Sequence, residues 1–191
     1  MAIVTIVTPA STAAIGSLDA FDHVNHARRL RHLFRDVPYE WGLFVTDFSE
    51  NEHRTGRYEP FWCIHFHGLL VGGDVEVIRR VLANRCLRTD AIPRPYFVER
   101  WDRDVKALRY LLGLDFDRRI GRDDGSRFNP KTGKRRVCRD VRHDPLRVAQ
   151  RVELLLHLHA IGVESRITML RAQLRRTDDG LIVVPMRQSA S

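Results

Sequence analysis

Apolar and polar residues alternate along this chain in blocks that fix a series of short elements. The densest block is Phe61-Trp62-Cys63-Ile64-His65-Phe66-His67-Gly68-Leu69-Leu70-Val71-Gly72, opened by Pro60 and closed by Gly72-Gly73. Its β-branched and aromatic content predicts a buried strand. Trp41 to Phe48 predicts another, and the polar stretch from Ser49 to Glu59, with Gly56 inside it, predicts a hairpin connection between the two. Asp19 to Phe34 has a helical stripe of Phe21, Val24, Leu30 and Leu33, ended by Asp36-Val37-Pro38. Val75, Val77, Ile78, Val81 and Leu82 form a second stripe ending near Cys86, with Asp74 as N-cap. Tyr96 to Trp101 follows two prolines as a third strand, and a helix runs from Asp102 or Asp104 through Leu112 to Gly113.

The flanks are less regular. The first fifteen residues predict only a flexible lead or an edge strand. Residues 121–136 are turn-rich and basic, as a hairpin tip or mobile arm would be. Asp144-Pro145 opens a last long helix through about Ala160, capped by Gly162. A further helix is expected over Ser165 to Arg176, then a short strand over Leu181–Val184. The central order, strand, strand, helix, strand, helix, predicts an α+β fold of the ferredoxin-like palm type, with a central antiparallel sheet and flanking helices. Three parts result: a lead and helix over 1–40, the palm over 41–115, and a basic, mostly helical extension over 116–191.

Composition narrows the function classes. With 191 residues, 43% of them hydrophobic, the chain can bury a core, and no apolar run is long enough to span a bilayer. The N-terminal AIVTIVTPASTAAIG lacks the basic flank of a secretory signal. Cys63, Cys86 and Cys138 include no CxxC pair, so reduced core thiols in a cytoplasmic protein are expected. The net charge of +8 points to a polyanionic partner. Between Lys131 and Arg176, twelve basic residues, ten of them arginine, stand against four acidic ones, an excess equal to that of the whole chain. Arginine suits phosphate recognition through its planar fork of donors. Gly133-Lys134 is followed by Arg135, and Phe128 stands where a phosphate-binding loop needs its first glycine, so no ATPase is encoded.

His65 and His67 carry the chemistry. At i and i+2 of a strand both side chains leave the same face, with about 7 Å between their Cα atoms. Two imidazoles so placed can share a metal ion if a third group completes the shell; the alternative is a pair of core histidines hydrogen-bonded to neighbours. The third ligand stays open among Glu50, Glu52, His53, Glu59 and Glu99. His157 and His159 repeat the spacing on a helix, where about 200° separates them and no ion can be shared. A histidine-triad nucleotide hydrolase would need a third histidine at position 69, which is leucine.

The run IHFHGLLV resembles the His-hydrophobic-His motif of the HUH endonucleases: rolling-circle replication initiators, relaxases and single-strand transposases. Within that group it is most similar to small plasmid or phage Rep proteins. Leu43-Phe44-Val45-Thr46-Asp47-Phe48 stands where those proteins have an earlier strand motif, and Tyr110 stands where they carry a nucleophilic tyrosine, so the likeness spans roughly residues 40 to 115. The resemblance implies an HUH palm holding Mg²⁺ or Mn²⁺ on His65 and His67. It also implies nicking and joining of single-stranded or hairpin DNA through a 5′-phosphotyrosine on Tyr110. Many Rep proteins carry Tyr-x-x-Lys; here Tyr110-Leu111-Leu112-Gly113 departs from that pattern, and Lys106, one turn earlier on the same helix face, is the substitute cation. Arg109, Arg118, Arg119, Lys131, Lys134, Arg135 and Arg136 are the expected nucleic-acid contacts, and a host helicase is the partner that would unwind DNA. The other reading is a noncatalytic DNA-binding module or regulator on the same scaffold.

Overall fold

The computed structural model describes residues 1–8, 10–89, 92–102, 104, 116–129, 134–178 and 180–186, and the side chains of these except 123–129, 134–140 and 181. The chain is α+β. Its spine is a long hairpin of β3 (Trp41–His53) and β4 (Phe61–Val71), both longer than their neighbours, so each strand serves two partners on one edge. Alongside β4 lie β1 (Ala2–Ile6) at one end and the short β2 (Thr12–Ala14) at the other. Outside β1 lies β5 (Tyr96–Arg100). Along β3, β8 (Ile167–Leu170) pairs with Gly42–Val45, while β6 (Asp117–Asn129) pairs in parallel with Glu50–His53 and carries β7 (Lys134–Pro145) beyond it. The eight-stranded sheet is therefore mixed, antiparallel everywhere except at the β3–β6 pair. A separate hairpin, β9 (Ala172–Thr177) with β10 (Gly180–Pro185), ends the described chain.

Period two sorts the side chains. Phe44, Phe66, Leu70, Val4 and Ile6 leave one face and bury Leu30 and Phe34 of α1 (His23–Leu33) and its C-cap, and Ile78 and Leu82 of α2 (Val75–Arg85). Further along that face Phe48, Trp62 and Ile64 bury Leu154 of α3 (Val148–Ile161). All three described α-helices thus cover one side of the sheet. Asp22 starts α1 by accepting from the Asn25 amide, and Asp74 starts α2 by accepting from the amides of Glu76 and Val77, as its sequence position predicted. Gly162, at φ +72°, ends α3. No described helix is long and apolar enough to cross a membrane.

Three expectations change. The first residues are no flexible lead: Ala2, Val4 and Ile6 are buried and β1 sits inside the sheet between β4 and β5, and among them only the short β2, paired to β4 alone, is an edge strand. Asp144-Pro145 ends β7 instead of opening a helix, leaving α3 to begin at Val148, while the turn-rich basic stretch lies in the long β6–β7 hairpin, one of the two forms expected of it. The helix expected over Ser165–Arg176 is strand β8 followed by β9, so the described C-terminal part holds more strand than helix. In β8, Thr168 and Leu170 are buried while Ile167 and Met169 are half-buried, a period of two that outweighs the helical count. Arg171 then adopts φ +54°, held by its guanidinium, which lies 4.0 Å over the Tyr39 ring and donates to the carbonyls of Tyr39 and Arg35. Cys63 and Cys86 are buried free thiols, in keeping with reduced core cysteines.

Candidate metal centre

The hairpin that builds the sheet also builds the site. Its register sets Asp47 directly opposite His65, and His67 follows two residues later on the same face, the one opposite the three helices. Asp47 Oδ2 stands 3.4 Å from His65 Nε2 and 3.5 Å from His67 Nε2, and the three ligand atoms lie within 4.8 Å of one another. The imidazoles meet edge to face with ring centroids 4.6 Å apart.

The far side of each ring is fixed. His65 Nδ1 donates to the Cys63 carbonyl at 3.2 Å; a carbonyl can only accept, so in the neutral ring Nε2 carries the lone pair and faces Asp47. His67 Nδ1 bonds Thr5 Oγ1 at 2.8 Å, which ties β1 to the site. Such outer partners hold metal-binding imidazoles in one orientation. His65 is 1% and His67 2% exposed, while the Asp47 side chain is 21% exposed, so the triad has a dry floor and an opening on the carboxylate side.

Charge follows geometry. Burial works against a charged His65, but its contacts to Asp47 and the Cys63 carbonyl more than offset this and hold it up at about 9. Burial also works against the Asp47 carboxylate, yet hydrogen bonding to the two imidazoles holds it well below the ordinary carboxylate range. His67 is lowered, by burial first and then by the charge of His65 and of Arg119. Without a metal the site is therefore an Asp47 carboxylate beside a protonated His65 and a neutral His67.

The donor set fits a divalent cation. Donors about 2.1 Å from one ion stand about 3.0–3.5 Å apart at octahedral or tetrahedral angles, which matches the spacing from Asp47 to each imidazole. Buried His65 Nε2 faces Asp47 Oδ2 at 3.4 Å, at the long end of hydrogen-bond distance, so a cation between them would satisfy both.

Asp47 takes the place of the five third-ligand candidates, none of which belongs to this cluster. Glu50 leaves the opposite face and is fully buried; Glu52, also on that side, binds Arg118 and Arg147; His53 accepts from Thr55 Oγ1; Glu59 is exposed in the turn; and Glu99 lies on β5, beyond β1. A signal existed: Asp47 and His65 are equally far from Gly56, whose φ of +66° makes it the turn glycine. Placing the turn there pairs them.

The expected nucleic-acid residues divide. Arg118 is 16% exposed and clamped between Glu52 and Asp144 at 2.8 and 3.2 Å, which makes it a structural ion-pair residue with its fork already occupied. Arg119, its neighbour, points to the metal face beside Asp117. Tyr110, Lys106, Arg109 and Lys131 lie outside the described residues, as do the side chains of Lys134, Arg135 and Arg136. Comparison of the chain with protein-family models, curated proteins and solved structures gives no match.

Glu50 is the other unusual carboxyl. Both its oxygens are buried without a hydrogen bond, and burial, then the nearby Glu52 charge, push it up to about 7. An acid whose folded pKa exceeds its unfolded value of 4.5 loses stability as pH rises from 4.5 through 7. Glu50→Gln removes that loss: at pH 8 the variant is expected to be about 3 kcal/mol more stable than the parent, with the gap closing below pH 4.5. Urea unfolding at the two pH values measures this.

Proposed function

We propose that this chain is an HUH-type single-strand DNA endonuclease and strand transferase, built on a ferredoxin-like palm and similar to rolling-circle replication initiators. The observation that carries the reading is the convergence of His65, His67 and Asp47 on one side of the hairpin, on the sheet face opposite the helices. Neither histidine is spent on core packing alone: each is oriented from behind by a hydrogen bond, leaving Nε2 turned to a shared point.

In this reading His65, His67 and Asp47 hold the cation, with the Thr5 hydroxyl and Cys63 carbonyl orienting the imidazoles. The bound cation would supply Lewis-acid polarisation of the scissile phosphate and charge stabilisation on its oxygens. Tyr110 Oη forms a bond to phosphorus while the bond from phosphorus to the 3′ oxygen breaks; the phenolic proton leaves to solvent and the departing oxygen takes one up as a free 3′-OH. Lys106 and Arg109 favour the phenolate, whose ordinary pKa is near 10. Because one phosphoester replaces another, a 3′-OH can later attack the same phosphorus and rejoin the strand. Two imidazoles with one carboxylate suit Mn²⁺ better than Mg²⁺, which prefers an all-oxygen shell.

Incubation with labelled single-stranded DNA and Mn²⁺, followed by denaturing electrophoresis, tests the reading. A covalent protein–DNA band is expected that disappears with EDTA, in His65→Ala and in Tyr110→Phe. A band that persists in Tyr110→Phe moves the nucleophile elsewhere. DNA binding with no adduct assigns the chain to noncatalytic recognition, consistent with the missing lysine after Tyr110.

A further inference from the structure

We infer that Phe97 is the stacking platform for a nucleobase next to the phosphate held at the triad, and that the DNA strand crosses the metal face diagonally from β5 toward Arg119 on β6. This rests on the nicking reading and adds to it the path of the substrate.

The register places the residues. Phe97 pairs with Thr5, Thr5 with His67, His67 with Val45 and Val45 with Ile167, so these five form one row across β5, β1, β4, β3 and β8, with side chains on one face. The hydrogen bond from Thr5 Oγ1 to His67 Nδ1 independently fixes that shared face. Two strand spacings separate Phe97 from His67, about 10 Å between Cα atoms, within reach of the base adjoining a phosphate at the triad.

Phe97 is also the odd member of its row. It is 54% exposed, whereas His67, two strands further along the same row, is buried. An exposed phenylalanine on an otherwise ordered strand gains little from packing here, yet offers an open ring to stack on, and base–aromatic stacking is indifferent to base identity. Charge gives the path its direction. Glu99, exposed on the same face two residues along β5, repels phosphates from that end of the sheet. Arg119 points to the same face at the opposite corner, in register with Asn51 and beside Asp117. A strand laid from Phe97 over the triad to Arg119 meets an aromatic ring, the ligand cluster and a guanidinium in turn.

Binding of a 2-aminopurine-labelled single-stranded oligonucleotide to the full-length protein in Mn²⁺ tests this, with Mn²⁺ affinity of each variant measured in parallel by titration calorimetry. Phe97→Ala is expected to weaken DNA binding about ten- to a hundredfold with an unchanged salt slope, and Phe97→Trp to restore it with base-fluorescence quenching. Arg119→Gln is expected to weaken binding and lower the salt slope by about one. Equal affinity of Phe97→Ala and the parent overturns the inference while leaving the nicking reading intact. Loss of Mn²⁺ affinity in Phe97→Ala overturns it too, by assigning the ring a structural role. A parent protein that binds no single-stranded DNA overturns both.

Discussion

His65→Ala is expected to lower Mn²⁺ affinity at least about a hundredfold, because losing even an outer partner of a metal ligand costs ten- to a hundredfold and His65 is itself one of the three groups placed to hold the ion. Asp47→Asn is expected to do nearly as much, since it removes the only charged donor of the cluster. The parent protein adds a signature that neither variant can show. His65 is held up at about 9 in the metal-free site, so a cation arriving at pH 7 must displace its proton. Mn²⁺ affinity therefore rises about tenfold per pH unit between 7 and 9, about a hundredfold in all, and levels off above. Calorimetry in buffers of different ionisation enthalpy should count close to one proton released at pH 7, and none in His65→Ala. Stability of the metal-free protein moves the other way. The raised His65 contributes fully below its unfolded value of 6.5 and loses that contribution as pH climbs through 9. The depressed Asp47 contributes above its unfolded value of 3.8 and fails as pH falls through its folded value. Saturating Mn²⁺ then stabilises most on the alkaline side, where proton competition has gone.

A second large effect is expected one residue from the site. Gly68→Ala would set a Cβ 2.2 Å from Phe44 Cδ1 and 2.5 Å from two further ring atoms. Phe44 is fully buried and wedged against Phe34 and Phe66, with ring centroids 5.4 and 6.4 Å away, so the ring has nowhere to move. The substitution should cost about 3 kcal/mol and lower Tm by about 6–12 °C, read by thermal denaturation followed by circular dichroism. Shrinking the ring in Gly68→Ala/Phe44→Leu should recover part of the loss, giving a double variant less destabilised than the two single changes added together. The outcome that sinks this account is strict additivity, since it would mean the methyl and the ring never meet. Gly68 is thus required by close approach of a ring and not by backbone conformation.

These two sites also mark where sequence reasoning reached and where it stopped. The histidine strand, the Asp74 cap and the α2 stripe were legible because each is decided within a dozen residues: the unbroken apolar run from Phe61, a carboxylate at the right offset, and the spacing of Ile78 and Leu82. Asp47 was not legible as a ligand, because its role depends on which residue of β4 it faces. That depends in turn on the turn centring at Gly56 and not on the polar stretch as a whole. Strands β1 and β8 were obscured for the same kind of reason at longer range. Ala2, Val4 and Ile6 become core positions only once β4 and β5 flank them, and Thr168 and Leu170 only once β3 lies alongside. Arg118 looked like a phosphate ligand because net charge cannot reveal that Glu52 and Asp144 close around it.

The position of β1 has a consequence for how the molecule comes together. Thr5 and the His67 it orients are 62 residues apart in sequence, and every described ladder partner of β1 follows it by about 60 residues or more. The β3–β4 hairpin, by contrast, closes around a turn of a few residues, so Asp47 meets His65 in an early local event. Contacts of long sequence separation form slowly because their loop entropy is spent before any pairing offsets it. The triad is thus drafted by a fast hairpin and finished by a slow one-strand insertion, and a refolding chain should acquire weak cation affinity in an early phase and full affinity only when β1 docks.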